Sequence, residues 1–181
     1  MGGKIPGQEL TGLLVNEELL VDAGSASASL TLSEQNKIRL LILSHTHLDH
    51  LYGLAYLLEH RLYAELKEPL KILASPDAIE ILKNHFLIDE LLNPAVIQNL
   101  TQLVELSVVE SGKSYQLDKY QIEPVLVNHY SGALGFFITE GDEQFLFTGD
   151  TGSCDSLWEQ LKVHPNCRLI ITEVSFPNRL E

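Results

Sequence analysis

Cysteine is scarce in this chain: Cys154 and Cys167 are the only two. They form no CxxC pair and no disulfide framework, which excludes a small disulfide-stapled fold and disfavours a cysteine-built structural zinc site. No apolar run approaches the roughly 18 residues that span a bilayer, so no membrane-spanning helix is expected. Basic residues are few as well, 12 against 25 acidic ones, for a net charge of −13. No run of lysine and arginine exists to track a phosphate backbone, which argues against a long nucleic-acid ligand. A small anionic ligand stays open, because a metal centre can supply positive charge locally. The opening residues Met1-Gly2-Gly3-Lys4-Ile5-Pro6-Gly7 contain no apolar signal-peptide core, so the cytoplasm is the expected compartment.

What is present suits one compact domain: 181 residues, 45% of them apolar, are enough to bury a core. Leu13-Leu14-Val15 and Leu19-Leu20-Val21 read as two strands joined at Asn16-Glu17, the second closing at Asp22-Ala23-Gly24. Residues 38–43 form a short apolar run suited to a buried strand. After it, Leu51, Leu54, Ala55 and Leu58 recur at helical spacing. A strand is expected over residues 71–74, then a helix with Ser75 as N-cap and Pro76 in its first turn, carrying Ile79, Leu82, Phe86 and Leu87 on its apolar face. Further strands are expected over residues 103–109, 121–127, 135–139, 144–147 and 168–172, with a helix over 157–161. Strands and helices mingle in both halves, so the class is mixed α/β (α+β), with sheets covered by helices. The runs at residues 40–43 and 169–171 read as buried on both faces.

The chemistry concentrates in His45-Thr46-His47-Leu48-Asp49-His50, which holds three of the seven histidines. His45 and His47 are two apart, so in an extended segment leaving a strand they point the same way and can share one ion. Asp49 and His50 follow where the chain turns into a helix, and their side chains can reach a second ion. Imidazole with carboxylate suits zinc, and also iron or manganese. Two later segments end strands on possible ligands: Val125-Leu126-Val127-Asn128-His129, and Phe145-Leu146-Phe147-Thr148-Gly149-Asp150-Thr151-Gly152, where glycines allow a sharp turn at Asp150. Either residue alone is more often an ordinary surface or turn residue. Their order behind the first motif raises both.

This pattern resembles the metallo-β-lactamase superfamily, whose signature is HxHxDH, then a lone histidine, an aspartate and a final histidine. Within it, the chain is most similar to the class II cyclic-nucleotide phosphodiesterases and their bacterial relatives, through residues 44–54, the Gly149-Asp150-Thr151-Gly152 turn and Glu173-Val174-Ser175-Phe176-Pro177-Asn178. The resemblance implies an αββα sandwich of two mixed sheets flanked by helices. It implies two divalent ions, zinc before manganese or iron, with His45, His47 and His129 on the first, Asp49 and His50 on the second, and Asp150 bridging. A hydroxide shared by the ions would attack a phosphodiester in line, with Asp49 orienting it or taking its proton. The implied substrate is a small, cyclic-nucleotide-like phosphodiester, and a homodimer is compatible with the resemblance. Tyr130 and His85 are candidates for the leaving-group acid. His164 precedes the last strand, out of order for the final histidine, and reads as a surface residue. No histidine follows Glu173 before Glu181, so residues 1–181 are expected to be a single domain that is incomplete at the C-terminus and, given its abrupt start, at the N-terminus.

Three rivals stand beside this reading. A thioester or lactone hydrolase would use the same metals on a carbonyl carbon. A tRNA-processing nuclease would need a basic arm that the sequence lacks. A metal-binding protein without catalysis would fit the absent final histidine.

Overall fold

The computed structural model describes residues 9–173. Two compact units make up the chain, the first ending at Val108 and the second beginning at Val109. In the first, strands β1 (Leu13–Val15), β2 (Leu19–Val21), β3 (Leu40–Ile42), β4 (Leu70–Ala74) and β5 (Val104–Val108) form one sheet in sequence order. The β1–β2 hairpin is antiparallel and every later pairing is parallel. Parallel neighbours need crossovers. Helices supply them: α1 (Ala26–Ser29), α2 (Leu32–Gln35), α3 (Leu48–Tyr63), α4 (Pro76–Ile81), α5 (Pro94–Gln98) and α6 (Leu100–Leu103). The sequence signal for α2 is a capping box: Thr31 Oγ1 accepts from the Glu34 amide at 3.3 Å while the Glu34 carboxylate accepts from the Thr31 amide at 2.8 Å.

The core of this unit forms where α3 lays Leu51, Leu54, Leu57 and Leu58 against Leu20, Leu41, Leu43, Ile72 and Ala74. Each fully buried leucine contributes about 1.5–3 kcal/mol relative to an exposed one. At the far end of α3, the buried Arg61 donates to the Ile38 carbonyl at 2.8 Å and the Glu68 carbonyl at 2.6 Å, tying the helix to the segments that lead into β3 and β4. Burial lowers the Arg61 guanidinium from its ordinary value. Ser75 caps α4 as expected, its hydroxyl accepting from the Ala78 amide at 3.2 Å. The expected continuous helix beyond it instead widens into a π-helical turn, Leu82–Phe86, closed by the Leu87 amide on the Leu82 carbonyl at 2.8 Å. The wider turn brings Leu82, Phe86 and Leu87 into the core together, and leaves His85 exposed.

In the second unit, β6 (Tyr115–Leu117), β7 (Tyr120–Leu126), β8 (Leu134–Glu140), β9 (Glu143–Phe147) and β10 (Cys167–Ile171) form a sheet that is antiparallel except for β9–β10. Helix α7 (Asp155–Lys162) buries Leu157 on Val125, Phe137 and Leu146. His164 is half-buried, not a plain surface residue: its ring stacks on Phe137 with centroids 3.8 Å apart. The expectation that residues 169–171 are buried on both faces fails. Among the described residues β10 pairs with β9 alone, at the sheet edge, and Leu169 and Ile170 are 54% and 39% exposed. Residues 40–43, in contrast, are buried throughout, because β3 is central.

Among the described residues, no helix is long and apolar enough to cross a membrane. The expectations resting on residues 2–7 and on Val174-Ser175-Phe176-Pro177-Asn178 lie outside the described residues.

Candidate metal centre

β3 ends at Ile42, and the chain bends at Ser44 and leads to His47, which stands at the N-cap of α3 with φ −64° and ψ 147°. The four motif residues therefore fall on a strand exit and the first helical turn. His45 and His47 meet edge to face with centroids 4.8 Å apart, and the His45 and His50 rings lie 4.0 Å apart. Asp49 Oδ2 is 3.7 Å from His50 Nε2. His45 and His50 are buried, Asp49 is half-buried and His47 is exposed. Packed, partly desolvated imidazoles beside a carboxylate form a donor set that fits a zinc-like ion.

The histidine orientations are held from behind by a residue that the local pattern does not reveal. Asp22, wholly buried at the end of β2, accepts from the Ser44 amide at 2.7 Å, from the Ser44 hydroxyl at 2.6 Å and from His50 Nδ1 at 2.7 Å. Ser44 Oγ, its proton committed to Asp22, accepts from His45 Nδ1 at 2.9 Å. Both imidazoles thus carry their proton on Nδ1 and their lone pair on Nε2, the form that ligates a metal. Asp22 itself sits at φ +56°, a conformation rare outside glycine, and its amide bonds the Ile42 carbonyl at 2.9 Å.

Two glycines let the start of α3 dock on this turn. A Cβ on Gly24 would lie 1.9 Å from the Asp49 carbonyl oxygen, and one on Gly53 would lie 2.4 Å from the Ala23 carbonyl oxygen. The close approach is made useful by hydrogen bonds: the Ala23 amide donates to the His50 carbonyl at 2.7 Å and the Gly53 amide to the Gly24 carbonyl at 3.0 Å.

The second unit prepares its own pair. His129 and Asp150 stand on adjacent loops, with ligand atoms within 4.8 Å of each other. Asn128 clamps the loops: its amide donates to Thr151 Oγ1 at 3.1 Å, its side chain to the Ser153 carbonyl at 2.9 Å, and its carbonyl accepts from the Gly152 amide at 2.7 Å. Gly149 turns the chain at φ +59° just before Asp150. Tyr130 is half-buried, its ring 5.4 Å from that of His129.

Comparison with known proteins places this architecture. Ribonuclease Z of Treponema pallidum (strain Nichols) is 28% identical over 171 residues, covering 87% of this chain and 53% of that protein. The chain thus spans about half the length of the curated relatives it matches. Among solved structures, the metallo-β-lactamase fold protein YhfI from Bacillus subtilis superposes with a TM-score of 0.73 at 21% identity, over 97% of this chain and 68% of that one. Unliganded yeast PDE1 superposes with 0.68 at 17% identity, over 80% and 46%. The fold is that of the metallo-β-lactamases, as the HxHxDH pattern implied. Residues 11–180 match the family described as Anti-Pycsar protein Apyc1, and the chain belongs to that family.

Proposed function

We propose that the chain is a metal-dependent phosphodiesterase acting on a small, cyclic-nucleotide-like diester. The observation that carries this is the Asp22–Ser44 network, which sets His45 and His50 in the metal-ligating tautomer. A buried network of this kind has no evident purpose in a loop that binds nothing. In this reading His45, His47 and His129 would hold one divalent ion and Asp49 and His50 a second, with Asp150 available as a further ligand, and zinc would match the donors best, with manganese or iron as alternatives.

When bound, such ions supply Lewis acidity toward the phosphoryl oxygens and make water acidic enough to ionise near neutral pH. The chain's own residues do the rest. Asp49, fixed on the first turn of α3, orients the attacking water and takes its proton. Tyr130, beside His129, is the candidate donor to the leaving oxygen. A phosphodiester is favoured over a thioester or lactone because the curated relative is a ribonuclease by name, an enzyme of phosphodiester bonds. A small substrate is favoured over RNA because the net charge is −13 and no basic run exists to hold a polyanion.

The test is a substrate panel with the zinc- or manganese-loaded chain: a chromogenic phosphodiester, cyclic AMP, a phosphomonoester, a precursor tRNA, a thioester and a lactone. The diesters should be cleaved fastest, and His47→Ala should abolish the turnover and sharply lower the bound metal measured by elemental analysis. Preference for the thioester or lactone would replace the phosphodiesterase reading with an acyl hydrolase. Preference for the tRNA would replace it with a nuclease.

A further inference from the structure

Beyond the ligands themselves, α3 carries two tyrosines whose exposure its packing does not explain. Tyr52 and Tyr56 are 47% and 49% exposed, although the same helix buries four leucines on its other side. Their rings are 5.6 Å apart and tilted by 59°, and their hydroxyls are hydrogen-bonded at 3.3 Å. The pair is one preformed aromatic surface, not two independent side chains.

Its position relates it to the metal motif. Asp49, Tyr52 and Tyr56 stand at i, i+3 and i+7 of α3, so they share one stripe of the helix. At about 1.5 Å per residue, Tyr52 lies roughly 4.5 Å along the axis from Asp49, and Tyr56 roughly 10.5 Å. Helical side chains lean toward the N-terminus, so each ring covers the turn before its own Cα and Tyr52 leans toward the ligand turn. That turn is held rigidly, because Gly24 and Gly53 seat it on the Asp22 loop with no room for a Cβ. The hydrogen bond to Tyr52 raises the Tyr56 phenol above its ordinary value. An exposed aromatic face within two turns of the metal motif on the same helix stripe is what stacking of a nucleobase requires.

We infer that Tyr52, backed by Tyr56, is a specificity-determining residue that stacks the nucleobase of a nucleotide diester whose phosphate sits at the metal motif. The inference rests on the phosphodiesterase reading for the phosphate's place, and it adds the residue that contacts the base. Tyr63, on the same helix but roughly 21 Å from Asp49 along its axis, takes no part. It accepts from Asn93 Nδ2 at 3.3 Å and serves as the control.

The experiment titrates the zinc-loaded 181-residue chain with cyclic AMP and with base-free glycerol 1,2-cyclic phosphate by calorimetry, and follows hydrolysis of both. Tyr52→Leu should raise Kd and KM for cyclic AMP about tenfold, the size of one stacked base, with kcat little changed and with the preference over the base-free diester collapsing. Tyr52→Phe should restore the preference, and Tyr63→Leu should match the parent. Tyr52→Trp offers a wider face and should tighten cyclic AMP, a gain that misfolding cannot imitate. Loss of both ligands alike, no effect of Tyr52→Leu on either, or no binding of cyclic AMP by the parent would each overturn the stacking role. Tyr52-dependent binding without hydrolysis would keep that role and overturn the phosphodiesterase.

Discussion

Asp22 shows how much a single side chain can organise. It lies 22 residues before Ser44 and 28 before His50, yet its carboxylate collects both Ser44 donors and the His50 ring. Charge-assisted hydrogen bonds of this length are among the stronger ones, and a buried carboxylate needs them to offset its desolvation. Asp22→Ala should therefore lower zinc affinity about 10–100-fold, measured by competition with a chromogenic chelator. It should also cost about 1–3 kcal/mol of stability, because the Ser44 amide is left buried without its acceptor. Circular dichroism at room temperature should still show the folded chain. Unchanged zinc affinity in a folded Asp22→Ala protein would mean that the imidazoles are oriented by something else. In the sequence, Asp22 reads only as the end of a strand, since each of its partners arrives from another element.

At the scale of elements, most strands and helices stand where apolar periodicity puts them, with ends shifted by a residue or two. The exceptions are of two kinds: the short elements α1, α2, α5, α6 and β6, which the apolar spacing does not mark, and elements whose surroundings depart from the average. Leu82–Phe86 keeps a helical pattern of apolar residues but adopts the wider π turn, because three bulky side chains must enter the same core. β10 carries the apolar run of a central strand and sits at an edge, with Leu169 and Ile170 exposed. Such an edge offers unpaired backbone to another strand, and exposed apolar side chains strengthen the attraction. Leu169→Lys should change stability by no more than about 0.5 kcal/mol in urea unfolding, as for other exposed positions. It should also reduce concentration-dependent association on size exclusion. A large loss of stability would show that Leu169 is covered in the folded protein.

For the whole molecule, the decisive quantity is the coupling between metal and folding. The proposed ligands come from both compact units, with His45, His47, Asp49 and His50 before Val108 and His129 and Asp150 after it. A ligand that binds only the folded protein stabilises it by about 2.7 kcal/mol at a hundredfold excess over Kd. If these ligands hold zinc, it should raise the thermal midpoint. His47→Ala and His129→Ala should each abolish the rise, while His164→Ala should retain it. A rise that survives His129→Ala would confine metal binding to the first unit.

The sequence by itself determined the features written in neighbouring residues. The strand and helix alternation follows from apolar spacing, and the metallo-β-lactamase resemblance from His45-Thr46-His47-Leu48-Asp49-His50, whose side chains meet because a strand exit passes directly into a helix. The Ser75 cap of α4 was equally legible, since both partners lie within one turn. Only the tertiary structure decided which strand is central and which lies at an edge, because an apolar run looks the same in either place until its neighbours are known. It alone decided that Asp22 orients two histidines, through hydrogen bonds spanning more than twenty residues of chain. It alone placed Tyr52 and Tyr56 outside the core, since helical spacing marks their face but not what that face meets.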